Sequence, residues 1–232
     1  MKVVWDGIVQ AFHLLFSGNA EVLEITFLSL KISGIATGLS LLIGLPLGTL
    51  LALGQFRSRK FWVSLINTGM ALPPVVVGLA VSIMLWRSGP LGGLRLMYTV
   101  SAIIIAQIII AAPVVSGLTA AALQQLDPSL RYQLYGLGAS RWQMIKALWR
   151  EAQLPLLAAI MAGFGSVISE VGASMMVGGN IRYQTRVLTT AIVLETNKGE
   201  FSVAIALSVI LLLLAYMINL FLTWIQQRNP RR

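Results

Sequence analysis

The sequence contains no cysteine, a single histidine (His13) and few charges: only 11% of its 232 residues are Asp, Glu, Lys or Arg. Without cysteine there is no disulfide framework and no thiolate chemistry, and redox usage says nothing about compartment. One histidine cannot build a zinc site, and no plausible Ser/His/Asp set surrounds it. No Gly-x-x-x-x-Gly-Lys-Ser/Thr run is present, so the chain has no evident phosphate-cradling loop. Internal repeats and low-complexity segments are also missing. These absences disfavour catalysis by this chain alone. A process driven by ATP would need a nucleotide site on another polypeptide.

What is present is apolar. Hydrophobic residues make up 57% of the chain, and the mean hydropathy is +0.82. Such values exclude a soluble domain and point to a polytopic membrane protein. The apolar runs are continuous rather than alternating, which selects helices over a barrel. The expectation is an all-α, polytopic helical membrane protein, one domain over 1–232, with about five transmembrane helices at 23–53, 61–86, 100–123, 154–177 and 203–225. Residues 1–20 lack the clean apolar core and cleavage site of a signal peptide. Trp5, Ile8, Val9, Phe12, Leu15 and Phe16 share one helical face there, as expected of an interfacial helix. In the first span Gly34/Gly38 and Gly44/Gly48 have the spacing that lets helices approach closely, although generic packing explains them equally well.

Charge sets the expected topology. With five spans, Arg57, Arg59, Lys60, Arg131, Arg141, Lys146, Arg150, Arg228, Arg231 and Arg232 fall on one side. Lys2, Arg87, Arg95, Arg182, Arg186 and Lys198 fall on the other. The richer side should be cytoplasmic, which places the N-terminus outside and makes 226–232 a basic cytoplasmic tail. The net charge of +9 is then loop charge facing anionic lipid, not a nucleic-acid surface.

Three stretches stand out. The polar interlude 127–153, DPSLRYQLYGLGASRWQMIKALWREAQ, carries Leu130, Leu134 and Leu137, then Trp142, Ile145, Leu148 and Trp149, at helical spacing. Gly136 and Gly138 interrupt its middle, so it reads as helix, turn, helix against the membrane surface or a partner. The run Leu72-Pro73-Pro74-Val75 lies inside the second span, where freed carbonyls survive only if buried in protein or lining a wet cavity. The run 166–186, SVISEVGASMMVGGNIRYQTR, is the densest polar cluster. Glu170 is its intramembrane carboxylate, a functional candidate by default, with a structural fastener paired to Arg182 or Arg186 as the competing reading. Gly178, Gly179 and Asn180, with Arg182, Arg186, Thr185, Thr189 and Thr190, offer N–H groups, guanidinium forks and hydroxyls suited to an oxyanion. An ordinary solvated loop with interfacial arginines is the alternative.

Leu137-Gly138-Ala139-Ser140, followed by Trp142 and by Leu154-Pro155, resembles the cytoplasmic loop of ABC importer permeases. The match is partial: the Glu-Ala-Ala positions of that pattern hold Tyr132, Gln133 and Leu134, and Leu154-Pro155 comes about one helical turn late. Leu72-Pro73-Pro74-Val75-Val76-Val77-Gly78 resembles permeases for molybdate-type oxyanions. The segments Val177-Gly178-Gly179-Asn180-Ile181-Arg182 and Leu188-Thr189-Thr190-Ala191-Ile192-Val193-Leu194-Glu195-Thr196 resemble the tungstate/molybdate importers, nearer the tungstate type. Molybdate relatives tend to carry Glu-Phe-Gly-Ala and a proline after Asn-Ile. The resemblance implies a homodimer of this chain, two ABC ATPase subunits and an extracytoplasmic oxyanion-binding protein. ATP and Mg would be held by the partner ATPase and no cofactor by this chain. It implies an ATPase-coupling surface at Gly138, Ala139, Ser140, Arg141 and Trp142. It also implies a path or gate with Pro73, Pro74, Ser166, Ser169, Glu170, Asn180, Arg182 and Arg186 as candidates. Some such relatives carry a regulatory domain after the last span; the short basic tail after Ile225 gives the expectation that none is encoded here. Molybdate or sulfate permeases remain open within the class, as does a self-sufficient secondary anion transporter outside it, for which Glu170 alone is thin support.

Overall fold

The computed structural model describes residues 2–16 and 19–227. The side chains of Lys2, Leu15 and Phe16, and the expected basic tail at Arg228, Arg231 and Arg232, lie outside the described residues. The regular elements are helical: α1 (Lys2–Phe16), α2 (Ala20–Leu53), α3 (Arg59–Met70), α4 (Pro74–Leu85), a 3-10 turn (Gly92–Leu94), α5 (Val100–Gln124), α6 (Pro128–Gly136), α7 (Arg141–Glu151), α8 (Gln153–Ile168), α9 (Gly172–Gly178), α10 (Leu188–Asn197) and α11 (Phe201–Gln227).

The spine is the pairing of α2 with α5. Gly44 and Gly48 make it possible: a Cβ on Gly44 would stand 2.6 Å from Val115 Cγ1, and one on Gly48 2.5 Å from the Ser116 carbonyl oxygen. Among the described residues, no neighbouring element lies within 4 Å of a Cβ on Gly34 or Gly38, and it is the second of the two glycine pairs that makes a close contact. Lipid is as apolar as the interior, so this contact rests on close van der Waals packing rather than on the exclusion of water. Pro46 and Pro113 both sit inside continuous helices. One buried cluster joins Ile32, Val77, Val81, Ile103 and Val177. A second joins Ala52, Leu123, Met144, Leu148 and Leu156 beside the polar interlude. A third joins Val22, Ile25, Leu188, Ala191, Leu207 and Ile210.

Among the described residues, α2, α5 and α11 are long and apolar enough to cross a membrane. The second and fourth expected spans are not single rods. In the second, α3 and α4 meet at 101°. The cause is the proline pair: Pro73 is the extended N-cap of α4 and Pro74 its first residue, where the missing N–H costs nothing. In the fourth, α8 stops at Ile168 and α9 begins at Gly172, leaving Ser169, Glu170 and Val171 between them. No proline forces that break. The Glu170 side chain accepts from the Ala173 N–H at 2.8 Å, taking up a donor that a continuous helix would have used internally.

Two elements differ from expectation in other ways. The small residues of α1 dock it on α11: a Cβ on Gly7 would stand 2.6 Å from Ile205 Cγ2, and Ala11 is buried. Trp5, Val9 and Phe12 of the expected interfacial stripe remain exposed. The stretch between the fourth and fifth expected spans contains α10, whose Leu188 and Ala191 pack against α2 and α11.

Candidate coupling hairpin and translocation path

The interlude folds as a helical hairpin with a complete set of local caps. Asp127 opens α6 by accepting from the Ser129 N–H at 2.8 Å, and this hydrogen bond holds the exposed carboxyl below its ordinary pKa. The turn is a Schellman motif: Ala139 N–H donates to Leu134 O and Gly138 N–H to Tyr135 O, both at 3.0 Å. Gly138 occupies the left-handed position at φ +74°, which a side chain with Cβ would strain. Ser140 then caps α7 in a reciprocal box with Gln143, whose Oε1 accepts from the Ser140 N–H at 2.8 Å.

The hairpin is bolted to the body. Met144 and Leu148 are buried in the second cluster, with Leu130, Leu134 and Trp149 packed against it. Trp149 Nε1 donates to Thr49 Oγ1 of α2 at 2.9 Å. The expected apolar stripe splits at this point. Leu137 is 84% exposed and Trp142 67% exposed, and both project from the turn together with Tyr132 and Tyr135. Neither residue joins the core: Leu137 is the C-cap of α6 and Trp142 stands in the first turn of α7, both exposed. Between the hairpin and the end of α2 lies a cavity of about 870 Å³ whose lining includes Pro46, Leu50, Arg131, Arg141 and Trp142.

The two helix breaks meet across the α4–α9 contact. A Cβ on Gly78 would stand 2.7 Å from Ala173 Cα, and one on Gly172 2.8 Å from Val75 Cγ2. The Pro73–Pro74 break and the break at Ser169–Val171 are thereby drawn together. The hydroxyls of Ser166 and Ser169 donate back to Gly163 O and Gly165 O, at 2.8 and 2.7 Å. Ser169 is exposed at the break, while Glu170 is only 5% exposed.

The loop from Gly178 to Val187 is already occupied by its own hydrogen bonds. Gly179 N–H donates to Met175 O at 2.9 Å and Ile181 N–H to Thr185 Oγ1 at 3.0 Å. Thr185 Oγ1 donates to Gly178 O, Thr189 Oγ1 to Glu170 O, and Thr190 Oγ1 accepts from Val187 N–H. Asn180 is left-handed at φ +51° and donates to Thr190 O at 3.3 Å. Of the N–H groups expected to cradle an anion, that of Gly179 is therefore spent inside the loop, as is the neighbouring Ile181 N–H. The arginines are engaged as well, and not with Glu170. Arg182 Nε donates to Glu21 Oε1 at 2.9 Å, and Arg186 Nη1 reaches the same oxygen at 3.4 Å. Arg182 also lies over the Tyr183 ring, 4.8 Å from its centre.

Sequence reasoning noted Gln107 as the polar residue of the third span and gave no role to it or to Glu21, Ser29 and Gln143. Ser29 Oγ accepts the Leu188 N–H at 2.8 Å, fixing the start of α10 on α2. Gln143 alone carried a local signal, since it stands three residues after Ser140 as a capping box requires. The others act across sequence separations that no spacing rule reaches.

The chain is 36% identical to the tungstate uptake system permease protein TupB of Peptoclostridium acidaminophilum, over 98% of this chain and 100% of that protein. It is 38% identical to a probable anion ABC transporter permease protein of Haloferax volcanii, over 91% of this chain and 93% of that protein. The Escherichia coli molybdenum transport system permease protein ModB is more distant, at 26% identity over 90% of this chain and 95% of that protein. Among solved structures, the inward-facing MetNI methionine ABC transporter has the same fold, with a TM-score of 0.74 at 21% identity, covering 91% of this chain and 97% of that one. The family described as binding-protein-dependent transport system inner membrane component matches residues 44–231. Its members are multi-pass membrane proteins, and this all-helical chain belongs to that family.

Proposed function

We propose that this chain is the transmembrane permease subunit of an ATP-driven importer for tungstate. Two copies form the path as a homodimer. Two ABC ATPase subunits bind ATP and Mg on the cytoplasmic side, and this chain holds no cofactor of its own. An extracytoplasmic binding protein delivers the oxyanion and supplies most of the affinity, since a conduit must release what it binds. The chain is a single permease domain with its N-terminus outside and its C-terminus in the cytoplasm, as the basic-residue count favours.

The observation that carries the reading is the hairpin. A segment so fully capped, and fastened to α2 by the Trp149–Thr49 hydrogen bond, has no structural need to present Leu137 and Trp142 to water. Exposed apolar and aromatic groups on a rigid base are what a docking partner buries. Gly138 and Ser140 set the shape of that surface, while Ala139, Arg141 and Trp142 present it. The path runs past the paired breaks, where Pro73, Pro74, Ser166 and Ser169 supply carbonyls and hydroxyls. Arg182 and Arg186, tied to Glu21, and Asn180, tied to Thr190 O, form an outer rim rather than a free anion trap. Tungstate is favoured over molybdate by the relatives named for each, at 36% and 26% identity.

The test is uptake by the assembled complex in liposomes, with tungstate, molybdate and sulfate in competition. Tungstate should outcompete the other two and require ATP. Preferential movement of molybdate or sulfate would change the substrate, and oxyanion movement by the chain without an ATPase would end the reading.

A further inference from the structure

The hydrogen bonds of the α8–α9 break leave two oxygen atoms without partners in a place that water cannot freely reach. Glu170 Oε2 and Gln107 Oε1 are both buried and unpaired. Both residues line one small space between α2, α5, α8, α10 and α11, to which Ser29, Ser33 and Thr189 also contribute. Its accessible volume is about 10 Å³, the lower limit for holding a single water molecule. Gln107 is 3% exposed and Glu170 5% exposed, so both side chains are committed to this interior.

The orientation of the Gln107 amide is fixed by its surroundings. Its Nε2 donates to Val167 O and Ser174 Oγ, each at 3.4 Å. A backbone carbonyl only accepts, so the nitrogen must face Val167 and the oxygen must face the cavity. The cavity then holds two acceptors and needs donors. Among the described residues, no Lys, Arg or His lines it. Arg182 and Arg186, the cations once expected to pair with Glu170, are engaged by Glu21. A carboxylate buried at membrane depth with no cation beside it is far less stable than the neutral acid.

We propose that Glu170 is held as the neutral carboxylic acid and that the cavity is the site of one ordered water joining it to Gln107. The Oε2 proton is donated to the water oxygen. The water donates one proton to Gln107 Oε1 and has the cavity's serine hydroxyls for the other. Glu170 Oε1 meanwhile accepts the Ala173 N–H, and Thr189 donates to the Glu170 carbonyl oxygen at 2.8 Å. Glu170 is thus a positioning residue. It ties α5, α9 and α10 together at the helix break and leaves no negative charge beside the path. That last consequence rests on the anion-import reading above, since a charged carboxylate there would repel the cargo.

The experiment is infrared spectroscopy of the complete transporter in nanodiscs, run beside uptake. The parent protein should show a protonated-carboxyl stretch that persists at alkaline pH and vanishes in Glu170→Gln. The same variant should import within about twofold of the parent, because the amide replaces the acid as donor, whereas Glu170→Ala should lose about tenfold, leaving buried groups unpaired. Gln107→Met should keep the band but move it to higher frequency, as the acid loses its bridge. Absence of a band sensitive to Glu170→Gln would overturn the neutral acid, as would loss of uptake in an assembled Glu170→Gln complex. An unmoved band in Gln107→Met would overturn the bridge. A parent complex that carries no oxyanion would instead overturn the transport reading, and the infrared result would stand apart from it.

Discussion

The hairpin of α6 and α7 and the α8–α9–α10 segment are both rich in glycine and polar residues, yet they dispose of their chemistry in opposite ways. In the hairpin the caps are satisfied locally by Asp127, Gly138, Ser140 and Gln143, and the large side chains at the turn are left over, facing outward. In α8–α10 the side chains are the caps. Glu170 Oε1 and the hydroxyls of Thr185, Thr189 and Thr190 are taken up by backbone groups, and the arginines by Glu21. A cluster of hydroxyls and arginines in a sequence is thus no guide to what remains free for a ligand. The accounting of backbone donors comes first, and only the remainder is available.

Substitutions can break this contrast or sharpen it. The largest effects should separate fold from docking. Leu148→Ala, at the base of the hairpin, should cost about 2–5 kcal/mol of stability, seen as a lower thermal midpoint of the purified chain. Trp142→Ala at the tip should leave that midpoint unchanged and weaken retention of the ATPase by about 2 kcal/mol or more, read by copurification. Equal effects of the two on stability would mean that the tip is packed rather than presented. Next comes the contact between the breaks. Gly78→Val would press a Cβ against Ala173 Cα and should cost about 1–3 kcal/mol, with uptake falling while the ATPase stays bound. Gly138→Val should follow, at about 1–2 kcal/mol, because the position is left-handed. No atom lies within 4 Å of a Cβ there, so Gly138→Asn, which tolerates that conformation, should be much milder. If the two substitutions behave alike, the turn is not the reason for the glycine. The smallest effect belongs to the rim. Glu21→Gln should shift stability by no more than about 1 kcal/mol, and the shift should shrink in high salt, because Arg182 is 54% exposed.

Much of this fold was legible in the residues. Long apolar runs located α2, α5 and α11, and the leucine and tryptophan spacing around Gly138 located the hairpin. The proline pair announced a break, although its depth, two helices at 101° rather than a kinked rod, depends on what packs against α4. The second break was not legible, because nothing in Ser169-Glu170-Val171 forbids a helix; it arises from a side chain capping the helix that follows it. Nor was α10, a short helix whose burial is supplied by Val22 and Leu207 from distant parts of the chain. Leu137 shows the limit of periodicity. Its spacing matches Leu130 and Leu134, but those two precede the turn and it does not. The ion pairs of Arg182 and Arg186 with Glu21 span more than half the sequence, and only the folded structure can disclose them.

A single residue, Ala152, separates α7 from α8, and the two helices meet at 77°. With Trp149 latched to Thr49 and Leu148 seated beneath α2 and α5, this elbow has no slack in which to swivel. Under the proposed docking, a push at the tryptophan-bearing end would be delivered to α8 as displacement of the whole arm, and the stiffness of that joint would set how faithfully a stroke on one face reaches the other.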